Sequence, residues 1–178
     1  VLVTEDQHFS ASCTYNDYLN TLEFRGSEEN TRFIRYQRKW VSLQQEASSL
    51  AKRLQANRQT ADSVKFLSEK QKIKEQEMKS YLGSVISENG KNLLALLVKA
   101  MLPLEFPEFS VPGPARNPDS LRWVMRYNYN TDHFFDNIDF SDDRLLRTPL
   151  LHARLDAYFR GDPIQSADSI NRKIDKVL

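Results

Sequence analysis

Apolar residues recur at steps of three and four along two long, otherwise polar segments of the chain. In the first segment the apolar positions are Phe33, Tyr36, Trp40, Leu43, Ala47, Leu50 and Leu54. This rhythm is typical of a helix with one apolar seam, as in a coiled coil. Ser27, followed by Glu28 and Glu29, predicts an N-cap and an acidic first turn. We expect the helix to end near residues 56–57.

A second helix is predicted after a short break. Thr60 can cap it, and the helical pattern runs to about Glu88. Its seam positions are Val64, Leu67, Gln71, Lys74, Met78, Tyr81 and Val85. Charges of alternating sign occupy many of its other positions, which is typical of a solvated face. The two helices predict an antiparallel hairpin over residues 27–88, the main element of a mainly α fold.

The middle of this second seam is polar. Gln71 and Lys74 occupy seam positions there. Two large apolar residues, Phe66 and Ile73, lie on an adjacent stripe of the helix instead. We therefore expect the seam to weaken or to drift around the helix, and to fail first at Gln71 and Lys74.

Alternation of apolar and polar residues, which is typical of a strand, occurs near the amino terminus. Residues 8–14 alternate in this way, and residues 18–24 follow after turn-forming residues, so a small β-hairpin is predicted. A lone hairpin is marginal in water. Such a hairpin must pair with strands outside this chain, pack on the helices or exchange between protomers. Because the chain starts abruptly at Val1, we expect the first of these, with residues 1–25 as the remnant of a preceding β-domain.

The rest of the predicted helical domain, which spans residues 26–178, consists of short helices over residues 91–178. Residues 91–102 are apolar nearly all round, which predicts a central, buried helix. Prolines make residues 104–118 an extended crossover. Three apolar side chains are expected to pack this crossover on the helices: Phe106, Phe109 and Val111. The alternative is a proline-rich ligand for a partner domain.

Several capping signals place the helices that follow. Asp119 or Ser120 is expected to open a helix that runs to about Tyr129. Hydroxyl residues stand where four further N-caps are expected, at Thr131, Ser141, Thr148 and Ser166. Pro149 after Thr148 suits the first position of a helix, where its missing N–H costs nothing.

Composition excludes some classes of protein without indicating a function. Apolar residues make up 40% of the chain, and 25 basic residues nearly balance 24 acidic ones. A nucleic-acid binder usually needs clustered excess positive charge, so nucleic acid is not an expected partner. No segment approaches the ~20 apolar residues of a membrane span. The single cysteine, Cys13, excludes an internal disulfide and is expected to be a small buried hydrophobe.

No catalytic motif, metal site or cofactor signature is recognised in the sequence. The acidic run from Asp132 to Asp143 lacks the glycine and the ligand spacing of an EF-hand loop, so helix capping explains it better. The three histidines have no metal-binding spacing. We therefore expect no catalytic residue, no metal and no cofactor in this chain.

Aromatic and arginine residues after position 120 form a candidate binding surface, called the aromatic–arginine surface below. Its residues are Trp123, Arg126, Tyr127, Tyr129, Phe134, Arg144 and Arg147. Aromatic and arginine side chains are enriched at protein interfaces. The preferred interpretation is nevertheless that the rings, with Phe140, form the core of the small helical half.

Four segments of the chain resemble a family of helical domains: LEFRGSEEN, LLALLVKAMLPLEFPEF, FFDNIDFSDDRLLRTPLLHARLDAYF and DSINRKIDKVL. The resemblance covers residues 20–178, and its most specific part is FFDNIDFSDDRLLRTP. Members occur in anaerobic Gram-negative bacteria and are typically secreted or lipid-anchored. They carry a β-rich amino-terminal domain, then this helical region, then a thioredoxin-like domain of the disulfide-reductase type.

The resemblance implies a non-catalytic accessory or interaction domain of an extracytoplasmic thiol–disulfide protein, in the periplasm or on the cell envelope as part of a lipoprotein. Its partners are then the thioredoxin-like domain and the β-domain of the same polypeptide. The redox CxxC belongs to the thioredoxin-like domain, which this chain does not include, so no catalytic residue is carried over. Two alternatives stay open: a stand-alone helical module that binds a protein or a small ligand, and an enzyme in its own right.

Overall fold

The computed structural model describes Leu2, residues 8–111, Gly113, residues 117–160 and residues 166–177. The chain is mainly α, as the sequence predicts, with two long packed helices and one two-stranded sheet among the described residues. It divides into two compact units, Val1–Val98 and Lys99–Leu178. The assignment of residues 1–25 to a preceding β-domain stays a prediction.

The predicted β-hairpin forms, but both of its strands are shorter than the predicted residues 8–14 and 18–24. Strand β1 (Ser10–Ser12) pairs antiparallel with β2 (Glu23–Arg25), so that Ala11 lies opposite Phe24. Residues 18–21 form a single helical turn, α1, instead of extending the strand. Asp17 stabilises this turn by accepting hydrogen bonds from the side chains of Asn20, at its carboxylate, and Thr21, at its backbone carbonyl. Such local hydrogen bonds of short polar residues compete with strand pairing.

Cys13 is exposed, so the prediction that it is a buried hydrophobe is wrong. It follows β1, whose three residues are all exposed. The ribbon has one aromatic contact, in which the rings of Phe9 and Phe24 meet edge to face at 5.9 Å. A face covered by one ring pair is too small to bury the thiol.

Helix α2 (Glu28–Ala56) begins where the sequence predicts. Ser27 is its N-cap, and its hydroxyl accepts a hydrogen bond from the backbone N–H of Asn30. Gly26 precedes the cap with a φ of +87°. A Cβ at this position would lie 2.8 Å from the carbonyl oxygen of His8, so the close approach of the two backbones requires glycine.

Helix α3 (Ala61–Asn89) packs on α2 as the second arm of the hairpin. Each arm has 29 residues, or about 44 Å at 1.5 Å per residue. Thr60 stands at the N-cap as predicted, but its side chain makes no capping hydrogen bond. Gly90, with a φ of +57°, ends α3 one residue later than expected.

The seam of α3 weakens in its polar middle, as predicted, because no residue between Leu67 and Leu82 is buried, but it does not change face. Gln71 and Lys74 are half-buried, while Phe66 and Ile73 are 53% and 69% exposed. The seam therefore does not drift toward the adjacent apolar stripe. Leu67 is nearly fully buried on the same face and keeps the register of the seam.

Helix α4 (Leu93–Ala100) is shorter than the predicted 91–102 but has the expected burial. Five of its eight residues are buried: Leu93, Leu94, Ala95, Val98 and Ala100. The backbone N–H of Leu93 donates to Glu29 Oε1 at 3.1 Å, so a side chain of α2 satisfies the start of α4. No helix among the described residues is long and apolar enough to cross a membrane.

The second unit contains four more described helices: α5 (Pro118–His133), α6 (Asp143–Leu146), α7 (Pro149–Arg160) and α8 (Ala167–Val177). The described part of the crossover before α5 has no regular element. Its Phe106 and Phe109 rings each lie 5.8 Å from the ring of Tyr129, which confirms that they pack it on a helix. Val111 is half-buried.

Three of the predicted caps need correction. Asn117, rather than Asp119 or Ser120, caps α5 by accepting from the N–H of Ser120. Thr131 lies inside α5, because this helix continues four residues beyond Tyr129. An aromatic contact holds that extension: the ring of Tyr129 lies 4.2 Å from that of His133, one turn further along.

Asp142, rather than Ser141, caps α6 by accepting from the N–H of Arg144. Thr148 does stand directly before α7, although its hydroxyl donates backward to the carbonyl of Leu145. Ser166 caps α8 as predicted, since its hydroxyl accepts from the N–H of Ser169.

Candidate functional site

The aromatic–arginine surface begins on the first turns of α5. The rings of Trp123 and Tyr127, one turn apart, stack at 5.5 Å with an interplanar angle of 10°. Trp123 is 52% exposed in spite of this contact. Leu121 and Val124 on the same turns are also more than 40% exposed. This end of α5 therefore carries apolar side chains that the described residues do not cover.

Further along α5, the surface joins the crossover. The guanidinium of Arg126 lies over the ring of Phe106, with Cζ 4.6 Å from the ring centroid. Tyr129 contacts the same ring and that of Phe109. Arg126 and Tyr129 are thus brought together through the crossover, where the cation–π contact and ring packing stabilise the helix.

Phe134 belongs to the core of the second unit. Its ring lies 5.0 Å from the ring of Phe135 and 5.0 Å from that of Tyr158, which is only 3% exposed. The guanidinium of Arg154 lies 4.6 Å above Phe134, and burial lowers the pKa of Arg154. Arg154 is absent from the predicted surface because its partner ring is 20 residues away in sequence.

A second cation covers this core from α8. Lys173 is 5% exposed, and its Nζ donates to the carbonyl of Tyr158 at 2.5 Å while lying 4.6 Å from the ring centroid. Burial of a lysine in a core is unusual, and the sequence pattern of α8 places it among solvated charges. Only its contact with Tyr158, between α8 and α7, identifies Lys173 as part of this core.

Arg144 lies in α6 and Arg147 at its C-cap, whereas Trp123, Arg126, Tyr127 and Tyr129 lie in α5. The Arg144 side chain donates from Nε and Nη2 to the two oxygens of Asp142, at 2.9 and 2.6 Å. This bidentate pair lowers the pKa of Asp142, with burial acting against it. Arg147 is exposed at the C-cap of α6. The role of the seven predicted residues in binding stays a prediction.

The acidic run serves local structure, as capping predicts. Asp142 caps α6, and Asp139 accepts from the N–H and the hydroxyl of Ser141, which lowers the pKa of Asp139. Asp136 pairs with His133 at 2.7 Å. Within the described part of the chain, no three histidine, cysteine or acidic side chains are close enough to hold a metal ion.

A cavity of about 340 Å³ lies at the base of the hairpin, within the first unit. It is bounded by the start of α2, the end of α3 and the start of α4. Its lining residues are Arg32, Arg35, Tyr36, Tyr81, Val85, Glu88, Asn89 and Leu94. We call it the hairpin-base cavity. It is not among the sites predicted from the sequence.

Two tyrosines form one side of the hairpin-base cavity. The ring of Tyr36 stacks on that of Tyr81 across the two helices, at 6.2 Å and 13°. Tyr36 is 7% exposed, and its hydroxyl has no hydrogen-bond partner among the described residues. Burial, followed by the charge of Tyr81, raises the pKa of Tyr36 to about 12. Burial also raises the pKa of Tyr81.

The helical period places Tyr36 and Tyr81 in the seam but does not indicate a cavity beside them. A signal was present: Arg32, Arg35 and Tyr36 are spaced so that they share one face of a helix. Seam residues near the end of a hairpin are only partly covered by the opposite arm. The space left beside them is either filled or remains a cavity, depending on how the following helix, α4, packs. The helical period of α2 and α3 does not contain that information.

Comparison with known proteins adds no relative: no family model matches the sequence, and no curated protein or solved structure is significantly similar to it.

Proposed function

We propose that this chain is a non-catalytic interaction domain of a larger extracytoplasmic thiol–disulfide protein. The observation that supports it most is the apolar start of α5, where Leu121, Trp123 and Val124 are 44%, 52% and 41% exposed. Large exposed apolar residues within one helical turn are candidates for an interaction surface, because exposed apolar patches mark such surfaces.

The partner in this proposal is a thioredoxin-like domain of the same polypeptide. Support comes from the resemblance of residues 20–178 to helical domains that precede such a domain, and the same resemblance supports a place in the periplasm or on the cell envelope as part of a lipoprotein. A β-domain on the amino-terminal side is part of the same proposal. The gene is the first test, because it must encode a CxxC motif downstream of Leu178; its absence there would sink the proposal.

The second test measures association directly. The chain and the separately expressed thioredoxin-like domain are mixed, and their dissociation constant is measured by calorimetry. We expect Trp123→Ser to weaken association at least tenfold, because an aromatic anchor at an interface commonly contributes about 2 kcal/mol or more. Phe66→Ser is the matched control, since Phe66 is equally exposed, at 53%, on the other compact unit. Equal affinities for the two variants would exclude the start of α5 as the interface.

The second candidate function is a stand-alone helical module that binds a protein or a small ligand. The hairpin-base cavity favours it, because its volume and mixed lining are those of small-molecule sites.

A further inference from the structure

The α2 wall of the hairpin-base cavity is positively charged. Arg32, Arg35 and Tyr36 lie three and four residues apart, and all three line the cavity. Arg32 is already paired with Glu28 one turn earlier, at 2.5 Å. Arg35 forms no ion pair with any residue that the structure describes, so it is the guanidinium that can receive an external carboxylate.

The α3 wall opposite presents acceptors. Glu88 and Asn89 lie in the last turn of α3, where the unpaired carbonyls and the helix dipole favour positive charge. Asn89 donates its Nδ2 to the carbonyl of Val85 at 2.7 Å, which orients the amide. Its Oδ1 is buried and accepts no hydrogen bond from the described part of the chain. This wall therefore suits a charged donor such as an ammonium group.

Apolar side chains complete the lining. Val85 and Leu94 are 6% and 1% exposed, and both face the cavity from different helices. A volume of about 340 Å³ is near the lower end of the roughly 300–1,000 Å³ typical of small-molecule sites. The cavity therefore suits a metabolite-sized molecule with one apolar group, rather than a nucleotide or a folded partner.

The hydroxyl of Tyr36 is an independent sign of a ligand. A buried polar group without a partner costs free energy, and such groups are rare away from functional sites. Tyr36 is more than nine-tenths buried, lines the cavity, and has no partner for its hydroxyl among the described residues. Phenylalanine would keep the ring stack without this cost, so the hydroxyl is explained if a bound group accepts its hydrogen bond.

We propose that the hairpin-base cavity binds a small zwitterion of the amino-acid class with an apolar side chain. The carboxylate accepts hydrogen bonds from Arg35, the ammonium donates to Glu88, and the side chain contacts the apolar lining. The Tyr36 hydroxyl and Asn89 Oδ1 have almost no accessible surface in this structure, so binding includes a local shift that brings them into contact with the carboxylate and the ammonium. A simple anion would be repelled by Glu88 and a simple cation by Arg35, so the two walls select for both charges in one molecule.

The direct test is calorimetric titration of the full chain with L-phenylalanine and L-leucine. We expect saturable binding of at least one of them. The matched probes 3-phenylpropionate and 2-phenylethylamine each carry one of the two charges, and we expect each to bind at least tenfold more weakly than L-phenylalanine. If 3-phenylpropionate binds as tightly as L-phenylalanine, the cavity is an anion site and the proposal is wrong. If 2-phenylethylamine binds as tightly as L-phenylalanine, the cavity is a cation site and the proposal is also wrong.

Variants locate the binding. Arg35→Gln and Glu88→Gln are expected to weaken binding of the better amino acid at least tenfold, and Tyr36→Phe at least fivefold. Arg53→Gln and Glu69→Gln change the same residue types elsewhere on α2 and α3 and are expected to bind like the native chain. Circular dichroism spectra that match the native one exclude misfolding as the cause of a loss.

Two results would overturn the proposal: absence of saturable binding by either amino acid, or equal affinities of the cavity variants and their controls. The second would include the case in which Arg35 and Glu88 pair with each other across the cavity. The outcome is independent of the interaction-domain proposal. That proposal is tested by the gene sequence downstream of Leu178 and by Trp123, which lies on the other compact unit.

Discussion

Lys74 and Glu46 meet across the middle of the hairpin, with Nζ 2.7 Å from Oε2. Lys74 also donates to Glu77 at 2.5 Å, and Glu77 lies 3.8 Å from Nζ of Lys39 on the opposite arm. The side chain of Lys74 is only 16% exposed. Ion pairs between the two arms therefore take the place, in the middle of the seam, of the apolar contacts that form the rest of it.

This network predicts a specific pH dependence. Hydrogen bonds from Lys74 and then Ser42 lower the pKa of Glu46. A carboxylate whose pKa is lower in the folded than in the unfolded state contributes stability above its unfolded pKa, and loses it as the pH falls through the folded value. We expect Lys74→Met to flatten the decline of the free energy of unfolding below about pH 4.3, the ordinary value for glutamate. Urea unfolding at several pH values between 7 and 3 measures this.

Lys72→Met is the control for that experiment. Lys72 is exposed on the same helix, two residues away, and has no ion pair with a described residue. Its variant should keep the native pH profile. The ion-pair explanation of the seam is wrong if the two variants have the same profile, or if added salt leaves the difference between them unchanged, because partly exposed pairs are screened.

Gly26 and Gly83 lead to opposite predictions for the same substitution. An alanine at position 26 would have to adopt the positive φ of Gly26, and its Cβ would lie 2.8 Å from the His8 carbonyl oxygen. Gly26→Ala should therefore destabilise the chain by about 1–2 kcal/mol or more. Gly83 lies inside α3, with open space where a Cβ would be. Gly83→Ala should stabilise it by about 0.5–1 kcal/mol. Urea unfolding compares the two, and shifts of the same sign would contradict both assignments.

The hydrogen bonds of Asn30 predict the cost of releasing Leu2 from the start of α2. Its side-chain amide is bonded to both backbone groups of Leu2, accepting from N–H and donating to C=O at 2.7 Å each. Asn30 is 1% exposed. Asn30→Ala leaves buried polar groups without partners and should cost about 1–3 kcal/mol. Asn20→Ala removes an exposed side-chain bond and should change stability by less than about 0.5 kcal/mol.

Hydrogen exchange separates the contribution of Asn30 from general loosening. Exchange at the amide of Leu2 should be faster in Asn30→Ala and unchanged in Asn20→Ala. Native-like protection of that amide in both variants would show that Asn30 does not hold Leu2 in solution.

Tyr36 predicts a separate step in an alkaline titration. Burial raises its pKa to about 12, so one of the seven tyrosines should ionise well above the ordinary value of about 10. Ultraviolet absorbance from pH 9 to 13 detects the step. Tyr36→Phe should lose it, and Tyr15→Phe, which changes a 95% exposed ring, should not.

The same shift affects stability in a defined window. Because the folded state keeps Tyr36 neutral, the free energy of unfolding should be constant with respect to this group below pH 10 and fall between pH 10 and 12. Two pKa units correspond to roughly 3 kcal/mol. If the free energy of unfolding falls equally between pH 10 and 12 in the native chain and in Tyr36→Phe, the burial of the Tyr36 hydroxyl is contradicted.

Much of the fold was predictable because it is encoded locally. Ser27 and the steps of three and four after it predict α2 to within a residue, and Gly90 ends α3 one residue from the expected position. The caps around α5 and α6 were predicted less well. Asn117 and Asp142 compete there with neighbouring hydroxyl residues as caps, and the choice between them depends on packing several residues away.

The candidate sites were less predictable than the helices. Trp123 and Phe134 were both assigned to the aromatic–arginine surface, yet one is half exposed and the other lies against Tyr158. Cys13 lies on an alternating strand face that no other described layer covers. Burial of a side chain depends on what lies opposite, so neither result could be read from the strand or helix period.

By itself, the sequence determined the hairpin, because helix formation and one-sided burial depend on spacings within a single segment. Only the tertiary structure decided how the polar seam and the cavity are formed. The pairing of Lys74 with Glu46 across 28 residues, and the gap between Tyr36, Tyr81 and α4, depend on side chains from separate elements. Distances between elements follow from packing the whole unit, and no local pattern contains them.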